Sequence, residues 1–261
     1  MLEFVCAFVL SYLWHGMGTT IGYHRLLSHR SFRCSKFVEY FWIAGGYLAF
    51  EGSPIWWTAI HRAHHKFTDT ALDPHSPKYG LRNAYYGWMT KMSYPPTIDP
   101  NLQCPDIAKD PVYKFLDQGG HWETAHILAA VIGILFRAAL WFFLGWKVAL
   151  ASLLAGVLVL QVPLLLNVAC HIPRLGYKNF ARNDDSVNVW WVALLAHGEG
   201  WHNNHHAYPG SARSGFKANE FDLSWEVLRM SRLLGLVNSL NEPDFSPRKL
   251  ELVKTSDQRA A

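Results

Sequence analysis

Two apolar stretches separated by only two residues restrict the fold of this chain more than any other feature. They occupy residues 126–144 and 147–170, and Gly145 and Trp146 join them. Each has about 20 residues, which is enough to cross the ~30 Å hydrocarbon layer of a bilayer as an α-helix. Such a short connection predicts an antiparallel helical hairpin, so the start of the first helix and the end of the second lie on the same side of a membrane.

A third apolar stretch, residues 2–22, is also long enough to span a bilayer. It has no basic start of the kind that signal peptides carry, so we assign a transmembrane helix to residues 1–23. Basic residues follow it directly: Arg25, Arg30, Arg33 and Lys36. Such residues mark the cytoplasmic side, where the hairpin would also open. Arg137, inside the hairpin, is expected to extend to the far interface.

The remaining segments are more polar. Residues 37–57 are aromatic and apolar but contain Glu39, Glu51 and Pro54, which indicates a helix that is interfacial or re-entrant rather than spanning. Residues 24–118 and 171–240 are expected to form a cytoplasmic cap of short helices, including an amphipathic helix at 222–236 with Met230 and Leu233 on its apolar side. Residues 241–261 are predicted to be a disordered tail. The whole chain, 1–261, is expected to be one membrane-embedded domain.

Histidines concentrate in three clusters. Eight of the 14 histidines belong to them: His24 and His29; His61, His64 and His65; His202, His205 and His206. On a helix, residues at i, i+3 and i+4 share one stripe, so each HxxHH cluster directs three imidazoles to one place. His24 and His29 lie about 140° apart on a regular helix. They converge only if the helix ends or bends between them, or if a partner element lies between the rings.

This pattern indicates metal binding. Neutral imidazole is a common ligand of Zn, Cu, Fe and Ni, and eight ligands are too many for one ion, so we infer two metals. The clusters contain no carboxylate, unlike di-iron bundles built from Glu-x-x-His pairs, which predicts an all-nitrogen site. The alternative is that these are ordinary core or surface histidines. The net charge of +4 indicates a basic face against anionic lipid rather than a nucleic-acid site.

The three clusters resemble the histidine boxes (HxxxxH, HxxHH, HxxHH) of the integral-membrane fatty-acyl desaturases. The flanking sequences Gly22-Tyr23-His24-Arg25-Leu26, Asp73-Pro74-His75 and Gly198-Glu199-Gly200-Trp201-His202 are similar to the Δ9, stearoyl-type branch, and most similar to its prokaryotic-type enzymes. The resemblance extends from about residue 10 to about residue 235. It implies an all-α integral membrane protein with about three transmembrane helices, the family's first helix being absent or encoded upstream. A helical cytoplasmic cap would hold a dinuclear metal site.

The resemblance also implies an activity and a ligand set. Such enzymes use O₂ and two electrons at two iron ions, for which zinc can substitute in expressed protein, to introduce a cis double bond into a saturated acyl chain. Carried over, one iron would be bound by His24, His29, His61, His65 and His206. The other would be bound by His64, His171, His202 and His205, and Asn167 would reach a metal through water. An interhelical hydrogen bond is the alternative role for Asn167 and His171.

Three further residues acquire expected roles from the resemblance. Trp57 matches an aromatic residue that shapes the substrate tunnel, although simple packing at the interface is equally compatible with its position. Asp73 and His75 are expected to orient ligands by hydrogen bonds or to make contacts within the cap. The other histidines match no box and are taken as structural: His15, His121, His126 and His197.

Substrate carrier and electron donor are less constrained. Ala59 and Ile60 stand where animal acyl-CoA enzymes carry a basic–acidic pair, which favours an acyl-lipid substrate over acyl-CoA. The chain has no His-Pro-Gly-Gly motif of a fused cytochrome b5, so electrons are expected from separate ferredoxin or cytochrome b5 with its reductase. A lipid hydroxylase, ketolase or other oxygenase of the same superfamily remains an alternative. A membrane metal carrier or haem electron carrier is a third, although haem carriers place histidine pairs on the spanning helices themselves.

Overall fold

Helices form most of the chain in the computed structural model, which describes residues 1–89, 94 and 97–243. The α-helices are α1 (Leu2–Met17), α2 (Lys36–Tyr47), α3 (Pro54–Phe67), α4 (Pro100–Gln103), α5 (Pro111–Asp117), α6 (Trp122–Leu144), α7 (Trp146–Ala169), α8 (Trp190–Leu195), α9 (His202–Ala207) and α10 (Leu223–Leu233). Two strands, β1 (Phe32–Cys34) and β2 (Val237–Leu240), pair antiparallel. The predominantly helical fold is as predicted, whereas residues 244–261 of the predicted tail lie outside the described part.

Three helices are long and apolar enough to cross a membrane: Leu2–Ser28, Trp122–Leu144 and Trp146–Ala169. The predicted hairpin is present, because α6 and α7 are separated by Gly145 alone. Gly145 has φ +90°, a backbone conformation that favours glycine, and its N–H donates to Trp141 O to close the end of α6. The predicted number of spanning helices therefore agrees with the structure.

The first spanning helix changes its winding before it reaches the first histidine cluster. After α1 it continues as a π-helical segment, Gly18–Ser28, and the His29 N–H donates to His24 O at 3.1 Å, five residues back. The wider turn places residues five apart on nearly the same face, and the ring centroids of His24 and His29 are 4.8 Å apart. The helical segment ends at Ser28, between the two histidines, which is one of the alternatives that the sequence left open, and the wider winding before that end was not predicted.

The prediction of a single helix over residues 37–57 was wrong. α2 ends at Tyr47 and α3 begins at Pro54, so the stretch forms a helix–loop–helix hairpin. Proline fits the first turn of a helix but cannot continue one from the preceding turn. Ser53 adds a start signal, because its hydroxyl accepts from the N–H groups of Ile55 and Trp56.

The loop of this hairpin packs against the middle of α6 and α7. The Phe50 ring lies against Gly133 and Gly156, and it also contacts the buried Arg137 guanidinium, 4.8 Å from the ring centroid. Arg137 donates to Leu48 O at 2.8 Å and to Gly133 O at 3.1 Å. The expectation that Arg137 extends to the far interface is therefore wrong, because the loop brings the Leu48 carbonyl to it inside the protein and α6 itself offers that of Gly133.

The cap differs from the sequence prediction in detail. α10 corresponds to the predicted amphipathic helix, but it buries Trp225 and Leu228 and leaves Met230 and Leu233 exposed. Its first turn is fixed to the π-helical segment by a 2.7 Å hydrogen bond between the hydroxyls of Ser224 and Thr20. The β1–β2 pair was not predicted, because strands of three and four residues are too short for a visible alternation.

Candidate metal centre

Nine buried or half-buried histidines meet where the π-helical segment, α3, the end of α7 and α9 converge. Their ring nitrogens form two groups, and within each group one nitrogen per residue lies within 4.8 Å of the others. The five-histidine group consists of His24, His29, His61, His65 and His205. The four-histidine group consists of His64, His171, His202 and His206.

The Nε2 atoms of the five-histidine group point at one another. His29 and His61 are 2.8 Å apart at Nε2, and His61 and His65 are 3.1 Å apart. His205 closes the ring, with its Nε2 2.9 Å from that of His65 and 3.1 Å from that of His24. Ligands about 2 Å from a shared ion are separated by about 3 Å, so these spacings fit one metal.

The four-histidine group repeats this arrangement. The Nε2 atoms of His171 and His206 each lie 3.0 Å from that of His202. The His64 ring packs against those of His171 and His206, with centroid distances of 5.1 and 5.3 Å. His171, which follows α7 and belongs to no histidine box, therefore lies with the box residues as the sequence predicted.

The predicted division of α9 between the two groups was wrong. The sequence analysis placed His206 with the first set and His205 with the second, and the structure has them exchanged. On a helix, residues four apart are offset by about 40° and residues three apart by about 60° in the opposite direction. The i, i+4 pair His202 and His206 therefore faces one group and His205 faces the other. α3 behaves in the same way, with His61 and His65 in one group and His64 in the other.

Carboxylates lie behind four of these histidines. His64 Nδ1 is 3.0 Å from Asp73, His171 Nδ1 is 3.1 Å from Asp69, His206 Nδ1 is 3.4 Å from Asp184, and His24 Nδ1 is 2.9 Å from Glu199. A carboxylate on Nδ1 fixes the ring orientation and leaves Nε2 free to bind a metal. Of the four, only Asp73 had been singled out from the sequence. Asp69 and Asp184 lie in loops and belong to none of the motifs found in the sequence.

The protonation states agree with metal binding. Burial and neighbouring imidazoles hold the pKa of six imidazole rings in the two groups well below the usual histidine range. These rings belong to His29, His61, His65, His202, His205 and His206. Burial alone would raise the pKa of Glu199, but Arg25 and His24 lower it to about 2. Neutral imidazoles backed by ionised carboxylates are the form in which histidine binds a metal.

Arg25 has a different role from the one that its sequence position suggested. It had been grouped with basic residues at the membrane surface, but its side chain is only 1% exposed. It donates to Glu199 at 2.8 Å and to Asp222 at 3.0 Å, and its Nη1 donates to Ala212 O. Two buried carboxylates attract the guanidinium inwards, so Arg25 connects the π-helical segment to the cap.

A cavity of about 50 Å³ adjoins the metal centre, and it is lined mainly by apolar and aromatic side chains. Its polar lining residues are Glu51, His61, His75 and Asn167. Trp57 forms another part of the wall, where its indole stacks on the His61 ring at a centroid distance of 5.0 Å. The His75 ring stacks on His64 at 4.3 Å, and its backbone N–H donates to Asp73.

The sequence model of the fatty acid desaturase family matches residues 2–225, which include all nine histidines. The chain belongs to the fatty acid desaturase family. It is therefore an oxidoreductase that acts on acyl chains, and its two histidine groups are compatible with the dinuclear metal site of a desaturase.

Curated relatives of this desaturase agree with the family match. The chain is 39% identical to the sn-1 stearoyl-lipid 9-desaturase of Anabaena variabilis over 91% of its own length and 84% of that protein. It is 36% identical to the Delta-9 acyl-lipid desaturase 1 of Arabidopsis thaliana, over 92% of this chain and 76% of the relative. It is also 36% identical to an acyl-CoA 5-desaturase of Anemone leveillei, over 87% and 68% respectively.

Proposed function

We propose that this chain is a Δ9 acyl-lipid desaturase that inserts a cis double bond into a saturated acyl chain. The observation that carries the proposal is the pair of converging imidazole groups, free of carboxylate ligands, beside a largely apolar cavity. The two relatives named as 9-desaturases of lipid-bound chains support both the bond position and the carrier.

The donor set fits two iron ions. The five-histidine group would hold one and the four-histidine group the other, with Asn167 reaching a metal through water from the cavity wall. Two irons, when bound, supply the redox chemistry with O₂ and two electrons by which two hydrogens leave the acyl chain. Zinc can occupy such imidazole sites but cannot perform this chemistry, because it has no accessible redox change.

The protein's own side chains would orient the ligands and the substrate. Asp73 contacts His64 Nδ1 and also accepts a hydrogen bond from the His75 backbone N–H. Asp73 and His75 would therefore fix the orientation of the His64 ring within the four-histidine group. Trp57 covers one face of His61 and forms part of the cavity wall. An acyl chain in this cavity would pass Trp57 close to the five-histidine group, and the position of that passage would select the carbon pair.

The neighbouring proteins and the membrane orientation are also part of the proposal. The histidine groups lie at the ends of the first spanning helix and of α7 that precede the cap, and we assign these ends to the cytoplasmic face because basic residues concentrate there. Electrons would come from separate ferredoxin or cytochrome b5 with a reductase. The domain is proposed to be single, with the spanning hairpin and the cap built around one centre.

The test is expression in a host that lacks its native desaturase, followed by fatty-acid analysis with location of the double bond. We expect a new cis-9 monoene. A hydroxylated product would instead indicate an oxygenase of the same superfamily. Absence of any acyl product from protein that carries two irons per chain and receives electrons would contradict the proposal, and a Soret band would indicate a haem carrier.

A further inference from the structure

Glu51 is a buried carboxyl group in the wall of the cavity beside the metal centre. It lies in the loop between α2 and α3 and is 5% exposed. Trp57 Nε1 donates to Glu51 Oε2 at 3.1 Å, and Thr19 Oγ1 lies 3.2 Å from Glu51 Oε1. Among the residues that the structure describes, no lysine, arginine or histidine forms an ion pair with it. A carboxylate without a cation is costly to bury, so this environment favours the neutral acid.

The contacts of Thr19 lead to the same conclusion. Its Oγ1 lies 3.3 Å from His15 O and 3.2 Å from Glu51 Oε1, and both of these atoms are acceptors if Glu51 is ionised. A hydroxyl has a single hydrogen and can donate only once. Both contacts can be two-centre hydrogen bonds only if Glu51 carries a proton at Oε1 and donates it to Thr19, which then donates to His15 O.

We propose that Glu51 acts as a neutral carboxylic acid that bridges Thr19 and Trp57 and thereby positions the Trp57 indole against His61. This inference rests on the proposed function, in which the acyl chain lies along Trp57. Glu51 connects the first spanning helix to α3 through one side chain. It is a positioning residue, since it reaches the five-histidine group only through the ring of Trp57.

Loss of the proton would have two consequences in the cavity. The Thr19 hydroxyl could then donate to Glu51 or to His15 O but not to both, and a charge would stand beside the bound acyl chain. Burial raises the pKa of Glu51 to about 8, although the hydrogen bond that Trp57 donates opposes the rise. Because the neutral form is the working form, activity is expected to be full below that pKa and to be lost as the pH rises through it.

Other titratable or charged groups surround the Glu51 loop: Tyr23, Tyr47, His61, His75 and Arg137. The Tyr23 hydroxyl donates to Gly52 O at 2.8 Å, and Arg137 reaches the loop through Phe50 and Leu48. Burial raises the pKa of Tyr47 to about 12 and lowers that of His75 to about 3. Neither group changes charge near pH 8, so neither would account for a loss of activity in that range, and the Glu51→Gln profile tests whether Glu51 does.

The experiment compares the pH profiles of the iron-loaded wild type, Glu51→Gln and Glu51→Ala. The wild type should lose activity about tenfold per pH unit above the pKa of one ionising group. The Gln amide can accept from Trp57 and donate to Thr19 but cannot ionise. Glu51→Gln should therefore rescue the loss seen in Glu51→Ala and should lack the alkaline fall. Glu39→Gln, on the same hairpin, is the matched control and should keep the wild-type profile.

Infrared spectroscopy provides a readout that is independent of turnover. The wild type at neutral pH should show the C=O band of a protonated carboxyl that shifts in heavy water, disappears at alkaline pH and is absent from Glu51→Gln. An alkaline fall that persists unchanged in Glu51→Gln, or the absence of this band from the wild type, would overturn the proposal. Iron content and a desaturated product are measured on the same samples, so failure of the proposed function is distinguished from failure of the Glu51 assignment.

Discussion

His64 joins the metal centre to the cap through one imidazole. Its Nδ1 lies 3.0 Å from Asp73 while its ring packs against His171 and His206. We expect His64→Ala to abolish double-bond formation and to lower the metal content, because three imidazoles remain in its group. The chain should still insert, since spanning helices satisfy their own backbone hydrogen bonds. Product analysis, metal analysis and membrane fractionation check the three statements.

The matched control is His121→Ala. His121 is exposed and belongs to neither histidine group. This variant should keep its metal and its activity. Unsaturated product near the wild-type level from His64→Ala would contradict the assignment of His64 to the centre.

Asp69 orients His171 from a strained backbone position. Its Oδ2 lies 3.1 Å from His171 Nδ1 and accepts from the Asp185 N–H, and its φ is +60°. Asparagine tolerates this left-handed conformation but carries no charge. Loss of such a supporting carboxylate typically costs about 10–100-fold in metal affinity or activity, which we expect for Asp69→Asn. Competition with a chelator measures the affinity, and Asp185→Asn, at a half-exposed neighbour, should change it little.

At the scale of single residues, the sequence predicts the metal-binding histidines better than it predicts the carboxylates that orient them. The HxxHH spacing identifies His61, His64 and His65 from the sequence alone, because residues three and four apart on a helix share a face. Asp69 and Asp184 reach their histidines from loops 102 and 22 residues away along the chain. No local pattern encodes such a contact. Glu51 was predicted to lie inside a helix, so its place on the cavity wall was also missed.

The π-helical segment and α2 are held together at closely packed glycines. A Cβ at Gly18 would stand 2.1 Å from Gly46 N and 2.5 Å from Gly45 C, and backbone atoms cannot move aside as a flexible side chain can. We expect Gly18→Ala to separate the two helices and to destabilise the protein by about 1–3 kcal/mol or more. Thermal unfolding of the purified protein in detergent measures the effect.

Gly210→Ala is the control for that variant, because nothing lies within 4 Å of a Cβ at Gly210. Its unfolding temperature should equal that of the wild type. An unchanged unfolding temperature for Gly18→Ala would show that the π-helical segment and α2 are not tightly packed in the detergent-solubilised protein.

The elements differ in how well the sequence determines them. The hairpin of α6 and α7 is predictable, because two apolar stretches and a short joint permit few alternatives. The π-helical winding is not, because hydrophobic periodicity does not distinguish it from a regular helix over Gly18–Ser28. The break between α2 and α3 was signalled by Ser53 and Pro54, but the apolar composition on both sides obscured it.

At the scale of the whole molecule, long-range ion pairs connect the spanning helices to the cap. Arg25, at the end of the first span, contacts Glu199 beside α9 and Asp222 at the start of α10. Those partners are 174 and 197 residues away in sequence, so they become apparent only in the folded chain. The metal centre is therefore fixed on one side by the spanning helices and on the other by a cap that is itself anchored to them.

Two residues just before the second histidine cluster bear on the identity of the acyl carrier. Ala59 is fully buried and Ile60 is 4% exposed, and both belong to the main hydrophobic core. A charged head group therefore has no partner at these positions. Each missing charge-assisted hydrogen bond would have contributed roughly 1.5–3 kcal/mol, which supports an acyl chain esterified to a membrane lipid.

We expect a reconstituted membrane containing the desaturase, an electron donor, its reductase and O₂ to desaturate labelled phospholipid or glycolipid directly. Labelled acyl-CoA should react only after transfer to lipid, because the residues at positions 59 and 60 cannot bind its nucleotide. A lipid that carries an alkyl chain of the same length through a non-hydrolysable ether linkage controls for exchange between the two pools. Direct conversion of acyl-CoA without turnover of the lipid-bound chain would reverse the carrier assignment. The family assignment would remain, since it depends on the histidine groups and not on the head group.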